Sequence, residues 1–174
     1  MYDKLPLKRY NSTLDFMKGA VAKDAKILDL GVNNPFSEMM REKGWDVSNT
    51  KGEDLDNDQS ALKDDSYDLV TAFEILEHTL NPYEILKAVK AKHMFVSVPL
   101  KYWFSSAYRS NTDKWDRHYH EFEDWQFDWL LEKTGWEIVK SEKWISGGRW
   151  FGFRPVLRNF YNRYYILEVR KKAN

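Results

Sequence analysis

The stretch AKILDLGVNNP, residues 25–35, decides the fold of this chain. It opens as an apolar, β-prone run that carries one acid, Asp29, and ends at Gly31. Two asparagines and a proline then lead into a helix-like run over residues 36–43. A strand, a tight turn at glycine and a helix start are the parts of a βα unit whose helix N-terminus offers free N–H groups to an anion. The stretch therefore predicts an α/β protein with a ligand site at this turn.

A second stretch, SYDLVTAFEILEH at residues 66–78, gives the first one its context. Together, DLG at 29–31, YDLV at 67–70 and EILEH at 74–78 resemble the class I S-adenosylmethionine (SAM) dependent methyltransferases. That family opens with a strand ending in D-x-G and later carries F/Y-D-x-V followed by E-x-L-E-H. The resemblance runs from the first stretch to the C-terminus. One motif departs from the family, because its G-x-G-x-G is GVNNP at residues 31–35 here.

The resemblance implies a Rossmann-like α/β fold: a seven-stranded, mostly parallel sheet with an antiparallel last strand and helices on both faces. It also implies SAM as the cofactor and methyl transfer, at oxygen, to a small metabolite, sugar or lipid precursor. Two other functions stay open at this point. The reduced glycine motif favours a domain that has lost activity and serves as a binding or scaffold module. The βα unit taken alone also fits a Rossmann enzyme that uses NAD.

The resemblance assigns cofactor-binding residues to the ends of neighbouring strands. Asp29 would hold the methionine ammonium, or it caps the strand end as a structural residue. Asn49 stands where the family has an acid for the ribose hydroxyls, so a charge-assisted hydrogen bond is missing. Asp54, or its neighbour Glu53, matches the acid that binds the adenine amine. The residues predicted to bind the cofactor are Asp29, Gly31, Asn33, Asn49, Asp54, Leu55, Phe73 and Glu74.

Asparagine replaces glycine in the turn after the first strand. Because asparagine adopts left-handed backbone angles more readily than most residues, Asn33 or Asn34 is expected to form the turn. Asn34 also suits a helix N-cap, and Pro35 suits the first helical position. Pro35 has no N–H, however, and the side chains at 32 and 33 crowd the close approach that glycine allows. We therefore expect weaker cofactor binding than in glycine-rich relatives.

Two histidines are the predicted catalytic residues. His78 ends the second stretch, and its ordinary pKa near neutrality suits proton removal from an acceptor hydroxyl. His118 lies in WDRHYHEF, residues 115–122, at the place of a W-x-R-H-x-x-x-F stretch in many family members. The spacing of Glu74, Glu77 and His78 also resembles a divalent-metal site in some ubiquinone-biosynthesis O-methyltransferases. We predict no metal, because structural zinc favours four protein ligands, commonly including cysteine.

Composition limits the class of protein. With 174 residues the chain is long enough for one domain, predicted over residues 1–174, and short for two. The formal net charge is zero, and the lack of cysteine excludes disulfides and a cysteine nucleophile. Residues 1–10 lack an apolar core of signal-peptide length, and no apolar run approaches the ~20 residues of a membrane helix, so we expect a cytoplasmic protein. The eight tryptophans fit either a core rich in large rings or an aromatic-lined pocket.

Hydrophobic periodicity and turn residues predict the elements. Strands are expected over residues 26–30, 45–48, 69–73, 94–98, 136–145 and 163–169, and helices over 14–21, 36–43, 83–90 and 122–133. The resemblance to the family implies a further short strand over 53–55. The helix at 122–133 is expected to carry Trp125 and Trp129 on its apolar stripe. The connection over residues 100–121 is long, aromatic and polar, which is typical of functional segments.

Arginines between the last two strands fit recognition of an anionic acceptor. They are Arg149, Arg154 and Arg158, and the last two share a face if Pro155 begins a helix. Basic residues interleaved with aromatics also permit single-stranded nucleic acid binding. No nucleic-acid motif accompanies them, so the predicted partner is a small-molecule acceptor. The oligomeric state stays open.

Overall fold

The computed structural model describes residues 6–113, 115–147 and 150–173. The strands are β1 (Lys26–Asp29), β2 (Asp46–Asn49), β3 (Leu69–Phe73), β4 (His93–Pro99), β5 (Trp136–Ile145) and β6 (Asn162–Lys171). The α-helices are α1 (Leu7–Met17), α2 (Pro35–Glu42), α3 (Pro82–Ala88), α4 (Asp124–Lys133) and α5 (Phe153–Leu157), and short 3-10 helices lie at Ser60–Lys63 and Leu76–His78. Within these described residues, the six strands form one sheet in the order β2-β1-β3-β4-β6-β5.

Strand directions confirm the predicted fold class. β1 pairs in parallel with β2 and β3, and β3 pairs in parallel with β4. The last strand, β6, is antiparallel to both of its neighbours, β4 and β5. The carboxyl ends of β1 to β5 therefore lie along one edge of the sheet, which is where ligands bind in open α/β sheets.

The expected strand at residues 53–55 is not formed, so the described part of the chain has six strands rather than seven. Acids are poor strand formers and good turn formers, and this segment is acidic. The Asp54 carbonyl accepts hydrogen bonds from the N–H groups of Asn57 and Asp58, at 2.9 and 2.8 Å, which closes a turn. As a result, β2 is the edge of the sheet on this side.

Apolar side chains alternate between the two faces of the sheet, as the period of a strand requires. Ile27 and Leu69 pack on the face that α1 and α2 cover. Their neighbours Leu28 and Val70 pack on the opposite face, with residues of α3 and α4. The prediction of helices on both faces is thereby confirmed.

Two helices differ from the predictions. α1 covers Leu7–Met17 instead of 14–21, and the chain leaves it before Gly19, whose φ of +82° is left-handed. In α4 the buried residues are Phe127 and Leu131, whereas the predicted stripe of Trp125 and Trp129 faces outward. None of the described helices combines the length and the apolarity that crossing a membrane demands.

Most of the tryptophans do not enter the core, against the first of the two expectations for them. Trp136 is fully buried, and its indole N–H donates to the Leu86 carbonyl at 3.0 Å. Five of the eight have an exposed indole ring: Trp103, Trp115, Trp125, Trp129 and Trp150. Single exposed rings are ordinary on a protein surface, whereas several exposed rings in one stretch mark an interaction site.

Candidate functional site

The turn after β1 is made by glycine and not by asparagine. Gly31 has a φ of +106°, and its N–H donates to the Thr50 hydroxyl at 2.8 Å. Among the described residues other than glycine, only Glu74 has a positive φ, so the expectation of a left-handed Asn33 or Asn34 is wrong. Asn34 is the N-cap of α2 instead, and Pro35 opens the helix as predicted.

The Asp29 carboxylate organises the end of β1. It is buried and accepts hydrogen bonds from the hydroxyls of Thr71 and Ser37, at 2.6 and 2.7 Å, and from the Asn49 amide at 3.1 Å. Burial raises the pKa of Asp29, although these three hydrogen bonds oppose the shift. Both oxygens are engaged, so Asp29 fixes the strand ends. Its contact with the methionine end of SAM stays a prediction.

Arg41 of α2 ties the turn to the end of β2. Its guanidinium donates to the side-chain oxygens of Asn33 and Asn49, both at 2.6 Å, and to Glu38 at 3.0 Å. Its Nε and Nη2 also donate to the Val47 carbonyl, at 3.0 and 2.8 Å. All five N–H groups are therefore used. We call this guanidinium and its partners the Arg41 clamp.

Asn33 and Asn49 are consequently committed to internal bonds. The Asn33 amide donates to Glu38 at 2.7 Å, while its oxygen accepts from Arg41. The Asn49 amide donates to Asp29, to Ser37 and, at 3.3 Å, to the carbonyl of Gly31. The structure thus brings these residues together at one corner of the site. Each side-chain oxygen accepts one bond from Arg41 and keeps a second lone pair, so a ribose hydroxyl would meet a neutral acceptor here and not a carboxylate.

The remaining predicted cofactor residues lie apart from the Arg41 clamp. Asp54 is exposed and accepts only local bonds, from the Asp56 N–H at 3.2 Å and the Asn57 amide at 2.7 Å. Leu55 is buried in the core that α3 and α4 cover. Phe73 ends β3 and packs edge-to-face on Phe36, with ring centroids 5.4 Å apart. Their roles toward the cofactor stay predictions.

Glu74 follows β3 directly and has a strained backbone, with a φ of +56°. Its carboxylate accepts from the Ser97 hydroxyl at 2.9 Å and from Arg9 of α1 at 3.4 Å. Burial raises the pKa of Glu74, and the Arg9 charge opposes that shift. These two hydrogen bonds fix the Glu74 side chain and thereby hold its backbone in the strained conformation.

The next carboxyl along the chain, Glu77, has the opposite character. It is 1% exposed, and neither of its oxygens has a hydrogen-bond partner within the described residues. Burial, and then the nearby Glu74 charge, raises the pKa of Glu77 well above its ordinary value. An unsatisfied buried carboxyl is costly, so its presence at this edge of the sheet points to a binding or chemical role.

Two imidazoles stand beside Glu77. The Nε2 atom of His78 is 3.8 Å from a Glu77 oxygen, and the His78 and His118 rings meet edge-to-face at 4.9 Å. The Nδ1 atom of His78 lies 3.0 Å from the Arg117 carbonyl, which can only accept, so Nδ1 carries the proton and Nε2 is basic. Burial, and then His118, lowers the pKa of His78, which keeps the ring neutral at neutral pH.

His118 is held from behind by a charged pair. Its Nδ1 is 3.4 Å from Glu121, and the same Glu121 oxygen accepts from Arg163 at 3.1 Å. Although burial raises the pKa of Glu121, the bonds from His118 and Arg163 lower it overall, so Glu121 is ionised. The N–H groups of Tyr119 and His120 donate to the Glu77 carbonyl, at 2.8 and 3.2 Å. The two predicted catalytic histidines are therefore brought together, although 40 residues separate them.

Glu77, His78 and His118 also offer one metal-ligand atom each, all within 4.8 Å of one another. Carboxylate and imidazole ligands suit several divalent ions. The sequence predicts no metal here, and that stays a prediction.

The turn after β1 fits the amino-acid end of SAM. The backbone N–H groups of Val32 and Asn33 have no hydrogen-bond partner in the described part of the chain and are available to a carboxylate. Ile75 lies beside Gly31 across the cleft, where a Cβ on the glycine would be 3.5 Å from its Cδ1. At the ribose end, the second lone pair of the Asn49 oxygen would accept a bond from a hydroxyl. The residues present thus fit the cofactor, and weaker binding of the ribose stays a prediction.

Several residues of this site escape prediction from the sequence: Arg9, Ser37, Arg41, Thr50 and Thr71. Two signals point to some of them. Ser37 and Arg41 are four apart, so they share a face of α2. Thr71 is the one polar residue in the strand LVTAF, and it is the register partner of Asp29. No local pattern distinguishes Arg9 or Thr50.

Comparison with known proteins gives one family match. A family model described as a methyltransferase domain matches residues 5–141. No curated protein sequence matches the chain.

Solved structures with a similar fold include three methyltransferases. The 1,6-didemethyltoxoflavin-N1-methyltransferase of Burkholderia thailandensis, solved with 1,6-didemethyltoxoflavin and S-adenosylhomocysteine, is 17% identical with a TM-score of 0.66, over 98% of this chain and 80% of that one. A SAM-dependent methyltransferase of Methanosarcina mazei is 13% identical with a TM-score of 0.67, over 91% and 98%. Phosphoethanolamine N-methyltransferase 2 of Haemonchus contortus, solved with SAM, is 11% identical with a TM-score of 0.64, over 95% and 53%. At these identities the likeness is one of fold.

Proposed function

The chain belongs to the methyltransferase-domain family and is a SAM-dependent methyltransferase, and we propose that it methylates an oxygen of a small-molecule acceptor. The family match covers residues 5–141, well over half of the chain. The predictions of a methyltransferase and of SAM as its cofactor are confirmed at the level of the family. Neither an inactive scaffold domain nor an NAD enzyme is favoured.

The observation that supports an oxygen acceptor is the gap between Glu77 and His78. A separation of 3.8 Å is too long for a direct hydrogen bond. It is short enough for one hydroxyl oxygen to lie within hydrogen-bond distance of both groups. Such a hydroxyl accepts a hydrogen bond from the protonated Glu77 carboxyl, a form that the raised pKa of Glu77 favours, and directs its own proton to His78 Nε2.

Methyl transfer requires two things of these residues: they position the acceptor oxygen, and they remove its proton. Bound SAM supplies an electrophilic methyl group on its sulfonium. The protein holds the acceptor oxygen in line with that methyl group, and positioning of this kind is worth several kcal/mol, about 7–11 at best. His78 Nε2 accepts the hydroxyl proton, a general-base role that contributes roughly 10²- to 10⁴-fold. His118 is the proposed second catalytic residue, because its ring borders His78 and is oriented by Glu121.

The acceptor is proposed to be small and anionic. The supporting observation is positive charge in the connection that leads into β6, whose start pairs with the carboxyl end of β4: Arg154 and Arg158 are both exposed there. The helix expected to carry both begins earlier than predicted, at Phe153, and Arg158 lies just past its end. Arg149, the third arginine of this hypothesis, lies outside the described residues.

A methyl-transfer assay tests the proposal. Isothermal titration with SAM, S-adenosylhomocysteine and NAD first verifies the cofactor. Labelled SAM is then offered with phenolic, sugar-alcohol, carboxylate and amine acceptors, since two of the solved relatives are named as nitrogen methyltransferases. We expect label on hydroxyl acceptors, and a rate that rises with pH through the lowered pKa of His78.

The decisive variant is His78→Gln, with His93→Gln as its matched control. His93 also pairs with a buried glutamate, Glu168, at 3.1 Å, but it lies at the amino end of β4, on the opposite edge of the sheet. His78→Gln should lower kcat by about 10²-fold or more while sparing SAM binding, and His93→Gln should leave kcat unchanged. Transfer to amines alone, or an unchanged kcat in His78→Gln, would overturn the proposal.

A further inference from the structure

The connection between β5 and β6 presents bare aromatic rings to solvent. Trp150, Phe151, Phe153 and Phe160 are 74%, 88%, 70% and 67% exposed. We call residues 150–161 the aromatic segment. Exposed rings of this size in one short stretch are unusual on a soluble surface and mark an interaction site.

The charge of this region is one-sided. From residue 146 to residue 167 the sequence has four arginines and neither aspartate nor glutamate. Arg154 and Arg158 are exposed, and neither has an ion-pair partner among residues 6–113, 115–147 and 150–173. Since the whole chain has a formal net charge of zero, the positive charge is concentrated locally, in the same segment as the exposed rings.

The aromatic segment lies at the edge of the sheet that carries the candidate site. β6 is antiparallel to β4, with Tyr164 opposite Pro99, so the start of β6 meets the carboxyl end of β4. Exposed Trp103 extends the patch, because its ring meets Tyr161 edge-to-face at 6.4 Å. Arg163, two residues after the segment, donates to Glu121, which orients His118.

We propose that the aromatic segment docks the enzyme on an anionic membrane surface. Indole and phenyl rings partition into the headgroup region, and arginines beside them attract anionic lipids. Single-stranded nucleic acid fits less well, because it needs a cationic groove that tracks several phosphates. The aromatic segment has only two exposed cations among its described residues, Arg154 and Arg158, which is too few for such a groove. Docking in this orientation turns the catalytic edge toward the lipid.

The proposal does not rest on the proposed function, because binding is measured without SAM or an acceptor. The probes are vesicles of phosphatidylcholine mixed with phosphatidylserine, and vesicles of phosphatidylcholine alone, in a co-sedimentation assay. We expect the native chain to bind the anionic vesicles, to bind the neutral ones at least tenfold more weakly, and to be released by high salt.

Paired variants separate rings from charge. Trp150→Ser with Phe151→Ser should lower partition onto anionic vesicles about tenfold or more. Arg154→Gln with Arg158→Gln should lower it about thirty-fold, since each arginine near an anionic surface contributes roughly fivefold. The matched control changes two other exposed indoles, on α4, and should bind like the native chain: Trp125→Ser with Trp129→Ser.

Four results would overturn the proposal. The first is that the native chain does not bind anionic vesicles at low salt, and the second is that the Trp150→Ser, Phe151→Ser variant binds them like the native chain. The third is that the α4 control loses as much binding, and the fourth is that the native chain binds a single-stranded oligonucleotide and the variants lose that binding while they keep vesicle binding. Gel filtration identifies a fifth, a native dimer that the ring variant dissociates. Circular dichroism verifies the fold of each variant, and Phe151→Ser alone serves if the double variant unfolds.

Discussion

Glu77→Gln is predicted to stabilise the folded protein at neutral and alkaline pH and to leave its stability nearly unchanged at acidic pH. The glutamate is buried with both oxygens unpartnered among the described residues, and burial and the Glu74 charge raise its pKa. Glutamine has nearly the same shape and does not titrate. The substitution therefore removes the cost of ionising or protonating the buried carboxyl and little else.

The sign follows from proton linkage. Because the pKa of Glu77 is higher in the folded than in the unfolded chain, the folded state binds the extra proton above the ordinary value of 4.5. The contribution of Glu77 to stability is thus fully present below pH 4.5 and is lost as the pH rises toward the folded pKa. Each pH unit costs about 1.4 kcal/mol, so the loss at pH 7 is at most about 3 kcal/mol. For a chain of this size that upper limit corresponds to about 6–12 °C in Tm.

Thermal unfolding followed by circular dichroism from pH 4.5 to pH 8.5 measures the difference. The Tm of Glu77→Gln should equal that of the native chain at the acid end and exceed it increasingly toward the alkaline end. The control is Glu168→Gln, a glutamate that is also buried but is paired with His93 and Arg170, and it should lose stability. A Glu77→Gln variant that is less stable than the native chain at pH 8 would refute the reasoning, because the ionised carboxylate would then have a stabilising partner.

Three further outcomes are expected. Gly31→Ala should lower the free energy of unfolding by about 1 kcal/mol or more in urea titrations, because a φ of +106° strains any residue with a Cβ; an unchanged midpoint would contradict this. Asn33→Gly should leave the affinity for SAM equal or higher by isothermal titration, and a sharp loss in a folded variant would reveal an unassigned role for the amide. A chelator should leave Tm unchanged, since the chain has no cysteine and a structural zinc is not expected; a large fall would argue for a resident ion at Glu77 and its two histidines.

The elements that the sequence predicts well are those with a local cause. The run over residues 26–30 is apolar and ends at glycine, and the structure has a strand there followed by a left-handed Gly31. Asparagine is favoured at a helix N-cap and proline at the first helical position, and Asn34 and Pro35 occupy those two positions. Each of these signals acts within a few residues, so one sequence suffices to find it.

The predictions that failed depend on partners distant in sequence. The helix α4 turns Phe127 inward because the sheet on that side accepts it, and no periodic pattern tells which of two aromatic stripes the core will take. The sequence also does not show the hydrogen bond between Asp29 and Thr71, because 42 residues separate them, and the contact of Asp29 with the cofactor stays a prediction. Glu77 looks like any acid in a helix start, and only the fold shows that it is buried without a partner within the described residues.

Two of the departures from the family pattern are joined through one side chain. Asn33 occupies a glycine position of the turn, and Asn49 occupies the place of the ribose acid; Arg41 bonds both oxygens at 2.6 Å. Changing either asparagine alone leaves a guanidinium N–H without that partner, at a net cost of about 0.5–1.5 kcal/mol for each bond. Effects of changes that share a partner do not add. The asparagines are therefore parts of one arrangement, in which the Arg41 clamp ties the turn after β1 to the end of β2.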